Sequence, residues 1–346
     1  MSNGPKSITI IGGGLAGLTL GIGLRRHDIP VSIWEAGRYP RHRVCGEFIS
    51  GKGQAVLGRM GLLDHFRRAG ATLAHSTRFF LGSSETRLRQ IEPPALCLSR
   101  FTMDKLLADL FQTEGGELRQ SKRWEDKGEG EGIIRASGRH AHTRTRAWRW
   151  FGLKAHANKV ELSADLEMHS VRNGYVGLCR LADSKVNVCG LFRAQRGVDG
   201  TSARQLLRGE SGTALRQRLA TAQFDEASFC STAGLCLQPQ QATGQTDCRV
   251  GDALTMIPPV TGNGMSMAFE AAELAIEPIR AYACDGLPWS TAREAVAHAC
   301  DAAFRDRLVW AKRLQAMMFS PVVCGTVGAK LLNSRWLWQL VFTRTR

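Results

Sequence analysis

Three glycines and one carboxylate near the start of the chain have the types and spacing to hold a phosphorylated ligand. Residues 8–17 read Ile-Thr-Ile-Ile-Gly-Gly-Gly-Leu-Ala-Gly, and Glu35-Ala36 follows a second apolar run over residues 31–34. Gly12 permits a tight turn, Gly14 lets the backbone approach a pyrophosphate, and Gly17 lets the following helix pack closely on a sheet. Gly13 lies in the same loop, and Ala16 in the first turn of the helix that follows. A helix opened at Leu15 aims its free N–H groups and the positive end of its dipole at a phosphate. Glu35, at the tip of the second strand, is placed to accept hydrogen bonds from ribose hydroxyls. A glycine-rich turn alone would not bring strand, glycines, helix, strand and acid together in this order, so the segment predicts a dinucleotide site.

The other end of the chain specifies the nucleotide. Residues 248–253 read Cys-Arg-Val-Gly-Asp-Ala. Residues 256–265 read Met-Ile-Pro-Pro-Val-Thr-Gly-Asn-Gly-Met, ahead of an apolar helix predicted over 266–282. With these motifs the chain resembles the FAD-dependent oxidoreductases of the para-hydroxybenzoate hydroxylase and geranylgeranyl reductase superfamily. The resemblance implies FAD as cofactor, with Asp252 of the Gly251-Asp252 pair on the ribityl hydroxyls. It places the loop of Pro259, Gly262, Asn263, Gly264 and Met265 against the flavin ring. The stretch Arg43-Val-Cys-Gly-Glu-Phe-Ile-Ser50 is similar to the basic-x-Cys-Gly loop of the reductase branch. There Arg43 would pair with the pyrophosphate, and Cys45 would lie close to the flavin as the candidate for proton delivery or flavin positioning. Residues 98–107, Leu-Ser-Arg-Phe-Thr-Met-Asp-Lys-Leu-Leu, are similar to the family's Arg-x-x-(Leu/Met)-Asp-x-x-Leu helix start, which puts Arg100 at a cofactor-contacting position.

Departures from the family pattern limit what it carries over. Ser137, in Ile-Ile-Arg-Ala-Ser-Gly-Arg over 133–139, stands where hydroxylases of the family have the Asp of an Asp-Gly motif tied to both FAD and NAD(P)H. Asp199-Gly200 matches that motif literally but follows the predicted substrate-domain strands, and reads as a surface turn. NADPH or NADH is expected as a transient reductant, with either a substrate requirement or a separate electron donor where the family's usual route is lost. Tyr175-Val-Gly-Leu-Cys-Arg180 keeps only the tyrosine of the reductases' aromatic strand. Trp148-Arg-Trp150 lacks the rest of the flavin-halogenase block, which sets the halogenase reading aside.

The elements that must position these groups follow from periodicity. The expected fold is α/β: a glutathione-reductase-type, Rossmann-like FAD-binding domain with an interleaved antiparallel-sheet substrate domain and C-terminal helices. Residues 1–72, 100–140 and 245–285 make the first domain, 73–99 and 141–244 the second, and 286–346 the helical segment. A helix is predicted over 102–113, and Lys-Gly-Glu-Gly-Glu-Gly at 127–132 reads as a turn. Substrate-domain strands are predicted at 149–155, 159–167, 175–181 and 186–192, with Asn173-Gly174 and Asp183-Ser184 as hairpin turns. A long helix over 292–319 ends before Pro321. A last segment, 322–342, sets Trp336 and Trp338 beside Lys330, Arg335, Arg344 and Arg346. This segment reads first as packing on the cofactor domain and second as peripheral membrane contact.

The 346 residues suffice for a nucleotide domain and a smaller partner, and no apolar run reaches transmembrane length. The start lacks the apolar core of a signal peptide, so a cytoplasmic protein is expected. Ten cysteines without a Cys-x-x-Cys pair argue against a zinc site or a disulfide framework, so no metal is expected. A formal charge of +15 is dispersed rather than set on a nucleic-acid-binding module, and suits steering of an anionic cofactor or substrate. The partner expected is a hydrophobic small molecule. What the resemblance implies first is NAD(P)H-driven monooxygenation of a hydrophobic or aromatic secondary metabolite. Reduction of double bonds in a prenyl or lipid substrate comes second, and a non-catalytic flavin-binding protein that docks on a membrane or partner comes third.

Overall fold

A computed structural model describes residues 4–81, 84–125, 130–139, 148–195 and 203–319, and six residues beyond them. The chain opens with β1 (Ile8–Ile11), α1 (Leu15–Arg25), β2 (Val31–Glu35), β3 (Phe48–Ile49), α2 (Lys52–Arg59) and α3 (Leu63–Arg68). It continues through β4 (Thr72–Leu81), β5 (Ser84–Glu85), β6 (Arg89–Cys97), α4 (Arg100–Thr113), β7 (Glu117–Gln120) and β8 (Ile133–Arg135). The middle holds β9 (Trp148–Asn158), β10 (Leu166–Val171), β11 (Gly174–Arg180), β12 (Val186–Gln195), α5 (Ala203–Arg208), α6 (Ala214–Arg218) and β13 (Gln223–Ala233). It closes with β14 (Cys248–Arg249), α7 (Gly264–Ala283) and α8 (Trp289–Met318), after single 3-10 turns at Gly251–Ala253 and Pro259–Thr261.

Two sheets result. The first has the order β14-β8-β1-β2-β7 and is parallel throughout. Helices cover a parallel sheet on its faces, so its strands read as apolar runs. The isoleucines of β1 are buried, and every residue of α1 from Leu15 to Leu24 is buried. Helix α1 packs on α4 and α7 within one large core. The second sheet has the order β13-β9-β12-β11-β10-β4-β6-β3, with β5 on β4. Its pairs are antiparallel except β10 with β4, so the expected antiparallel sheet carries one parallel joint. Along β9, Leu153, Ala155 and Ala157 pack with Leu207, Leu215 and Leu219 of the α5–α6 region. Gly152, Lys154 and His156 alternate with them and face the other way, toward the first sheet.

Both hairpin turns fall where the sequence puts them. Asn173, Asp183 and Ser184 take φ values of 57°, 56° and 57°, the left-handed conformation that tight hairpins need. The strand expected over 159–167 is not formed there; the strand is β10, which starts only at Leu166. The chain turns at Lys159, with φ 57°, and Asp165 is drawn onto β4. Its carboxylate accepts hydrogen bonds from the backbone N–H groups of His75 (2.9 Å) and Ser76 (3.1 Å) and from the Ser76 hydroxyl (2.9 Å). These bonds hold the 159–165 loop over a bulge in β4. Strand β13, whose acidic and irregular sequence carries no alternation, was not expected at all. The long helix over 292–319 appears as α8. Among the described residues no helix is long and apolar enough to cross a membrane. Of the segment 322–342, Trp336 is described and is 71% exposed, while Lys330, Arg335 and Trp338 lie outside the described residues.

Candidate active site

A cavity of about 540 Å³ lies between the two sheets. On the first-sheet side it is bordered by Gly14, Leu15 and Ala16, by Arg43–Gly46, by Arg100, by Ala136–Arg139, and by Asp252 and the loop into α7. The glycines explain the shape of this wall. Gly12 has φ 109°, and a Cβ there would collide with the carbonyl of Ala136. A Cβ at Gly17 would collide with the carbonyl of Gly12. Gly14 is different: a Cβ would meet nothing within 4 Å, because this glycine faces the open cavity. Gly251, at φ 63°, lets the far end of the chain press onto Ala16. The two motifs read from opposite ends of the sequence therefore meet.

Two helix N-termini point into the same space. The first turn of α1 follows Gly14 without a side-chain cap, and α7 follows Asn263 without one. Asn263 does not border the cavity; it is buried and accepts a hydrogen bond from the Ser50 hydroxyl at 3.1 Å. Gly262 adopts the left-handed conformation, φ 67°, that turns the chain into α7. Asp252 borders the cavity and has no hydrogen-bond or ion-pair partner among the described residues. Burial pushes its carboxyl up, against the pull of Arg139, Arg100 and Arg43.

Glu35 is engaged by its own chain. Its carboxylate accepts from the N–H of Gly13 (3.0 Å), the N–H of Gly37 (2.7 Å) and the guanidinium of Arg41 (2.7 Å), with Arg43 at 3.6 Å. Burial pushes this carboxyl up, but the Gly37 N–H and the two arginines outweigh it and hold it below the ordinary range. The Tyr39 hydroxyl donates to the carbonyl of Gly13. Glu35 thus braces the glycine loop. Gly12, Gly13, Gly17, Glu35 and Ala36 do not border the cavity, which ends at Gly14.

From there a chain of buried ion pairs crosses to the second sheet. Asp104 of α4, fully buried, accepts from Arg43 Nε (3.0 Å) and twice from Arg100 (2.7 and 3.0 Å). The backbone N–H of Arg100 donates to Glu47 Oε1 at 2.8 Å. Glu47, fully buried with φ 61°, meets His156 Nε2 at 2.6 Å and Lys154 Nζ at 3.2 Å. Lys154 donates in turn to His42 Nδ1 at 3.1 Å. Burial pushes Glu47 up, yet His156 and Lys154 hold it below the carboxylate norm. Burial, with Lys154 and His156 beside it, lowers His42 to about 4. Glu47, Lys154 and His156 were not singled out from the sequence, and neither was the role of Asp104.

Cys45 borders the cavity, and its Sγ accepts from the Glu47 N–H at 3.5 Å. Burial pushes the thiol up, so it stays protonated at neutral pH. Ser137 and Arg139 also border the cavity, whereas Asp199 and Gly200 lie outside the described residues. On the second-sheet side the wall is largely apolar, with Phe79, Met168, Tyr175, Leu191, Leu235 and Leu314. No group of three or more His, Cys, Asp or Glu side chains among the described residues could hold a metal ion.

This two-sheet fold is shared by flavin-dependent enzymes of known structure. The flavin-dependent brominase Bmp2 superposes with a TM-score of 0.74 at 16% identity, covering 99% of this chain and 93% of that one. PqsL, a probable FAD-dependent monooxygenase from Pseudomonas aeruginosa, superposes at 0.67 and 17% identity, covering 99% and 100%. The myxobacterial chondrochloren halogenase CndH gives 0.71 at 17%, covering 99% and 91%. At such identities the likeness establishes the fold, as the sequence led one to expect. No family model matches the chain. Conditioned medium factor receptor 1 of Dictyostelium discoideum is 25% identical over 126 residues, which is 33% of this chain and 25% of that protein's length.

Proposed function

We propose that the protein is an FAD-dependent oxidoreductase of the monooxygenase type acting on an apolar or aromatic small molecule. The observation that carries this reading is one cavity into which the open face of Gly14, the carboxylate of Asp252, unpartnered among the described residues, and the uncapped start of α7 all turn. The residues fit the cofactor. Gly14 leaves the space a pyrophosphate needs, and the N–H groups of Leu15 and Ala16, with Arg43 and Arg100, would hold its charge. Asp252 would accept from ribityl hydroxyls, and the Gly262–Met265 backbone would lie against the ring. When bound, FAD supplies two-electron redox chemistry and reactivity toward oxygen. The chain's own part is to orient that ring and to keep water from it with the apolar wall of the second sheet. The similarity of fold to a brominase and to a probable monooxygenase supports the class.

A second reading is reduction of a carbon–carbon double bond in an apolar substrate. It is favoured by one observation: Cys45 presents a protonated thiol to the cavity, which suits a proton donor. Oxygen consumption during turnover separates the two readings.

The cofactor is tested directly. Purified protein should be yellow and release FAD, not FMN, on heating. FMN, or no flavin after reconstitution, would refute the assignment. NADPH or NADH is the proposed reductant. Because Ser137 supplies no fixed negative charge where the family has an aspartate, flavin reduction without substrate should be slow in anaerobic stopped-flow. Rapid substrate-free reduction would sink that expectation.

A further inference from the structure

We infer that the cavity takes an apolar carboxylic acid whose carboxylate pairs with Arg139, an assignment that rests on the reading of this cavity as the substrate site. The argument begins with the charged side chains on its wall: Arg43, Arg100, Arg139, Glu167 and Asp252. Arg43 and Arg100 share the buried Asp104. Glu167 is taken up by His169 at 2.9 Å, Arg218 at 3.0 Å and the Ser163 hydroxyl at 2.8 Å. Asp252 is a hydroxyl acceptor in the cofactor reading. Arg139 alone of the cations has neither ion pair nor hydrogen bond among the described residues.

Its place is also informative. Arg139 continues the stretch Ala136–Gly138 along the first-sheet wall of the cavity, and its charge is felt by both the Asp252 carboxyl and the Cys230 thiol of β13. It thus marks a seam between the cofactor wall and the sheet wall. A half-buried cation without a counter-ion is poorly solvated, so an anion entering the cavity gains a partner there. Past this seam the wall is Phe79, Met168, Leu191, Leu235, Val260 and Leu314, which accepts an apolar body and no second charge. One planar fork matches one carboxylate. A phosphate dianion would call for more cations, and the neighbouring two, Arg43 and Arg100, are the ones the cofactor reading gives to the pyrophosphate. The formal charge of +15 draws anions toward the protein as a whole.

Naphthoate and naphthamide have nearly the same shape and differ in charge, and their binding to the flavin-loaded protein by titration calorimetry tests the assignment. Naphthoate should bind more tightly by roughly ten- to a hundredfold, the range of a charge-assisted hydrogen-bond pair. Arg139→Gln should bring the two ligands to within about twofold, and Arg139→Lys, which keeps the charge without the fork, should retain part of the preference. Flavin content should be unchanged in both variants. Equal binding by the parent protein, or a preference that survives in Arg139→Gln, overturns the proposal. So does an Arg139→Gln variant whose only change is loss of discrimination between NADPH and NADH, which would assign the cation to a dinucleotide phosphate. The same titration on flavin-free protein separates this proposal from the cofactor reading, because the preference belongs to Arg139 and persists even where no flavin is retained.

Discussion

The loop between β1 and α1 carries no charged side chain, whereas the wall facing it across the cavity rests on Glu47, Lys154 and His156, all withdrawn from solvent. The loop works with backbone: tight turns, exposed N–H groups and missing Cβ atoms. The facing wall works with buried charge brought from two separate stretches of chain. The first kind of construction tolerates almost no added volume, and the second tolerates almost no loss of a partner.

The contrast can be broken most severely at the glycines. A side chain at Gly17 would drive into the Gly12 carbonyl and against Ala136 and Ile10, so Gly17→Val should cost at least about 4 kcal/mol and leave little folded protein by circular dichroism. Gly14→Val meets open space and should melt like the parent, yet hold no FAD. If both variants unfold alike, the distinction between the packing glycine and the binding glycine is wrong. Next comes the buried charge. Lys154→Met takes the ammonium from the buried Glu47, leaving it His156 and the Arg100 N–H, and should cost about 3–5 kcal/mol in urea unfolding. Adding Glu47→Gln should restore much of that loss, and a double variant no better than the single would show that charge is not what matters there.

A smaller effect is expected at Asp252. Asp252→Ala removes a charged acceptor worth about 1.5–3 kcal/mol, so FAD affinity should fall roughly ten- to a hundredfold with unfolding unchanged. Undiminished flavin retention would displace Asp252 from the ribityl chain. The mildest signature is in acid. Glu47 has a folded-state pKa below its unfolded one, so its contribution is complete above about pH 4.3 and is lost as pH falls through the folded value. Glu47→Gln should flatten that limb of the stability profile, and an unchanged limb would assign it to other carboxylates.

The same contrast decides what the sequence reveals. Gly12, Gly14 and Gly17 act within one turn, so their spacing already encodes their geometry, and the structure places each in the packing that its position calls for. The Asp183-Ser184 turn is legible for the same reason. Lys154 and His156 alternate with Leu153, Ala155 and Ala157, a pattern that reads as a solvent-facing edge of a strand. Only the distant Glu47, with its left-handed backbone, turns that polar side inward. Strand β10 was misplaced because Asp165 takes its partners from β4, some ninety residues earlier (|i−j| = 89 to Ser76). Glu35 was correctly located at the end of β2, but its ties to Gly13, Gly37 and Arg41 belong to a folded loop that no spacing rule describes.

The order of strands in the first sheet also governs when the protein can be completed. Thr9 lies beside Ile133, and Arg135 beside Arg249, so the sheet grows outward from β1 with long detours of chain between neighbours. During synthesis the glycine loop emerges first and the Gly251-Asp252 turn late, after the whole second sheet has left the ribosome. Until then β8 presents an open edge, and contacts of such sequence separation form slowly. On the proposed cofactor reading, capture of FAD is therefore a late event in the life of the chain. A translation product that stops short of Asp252 would carry the entire phosphate loop and should hold no flavin.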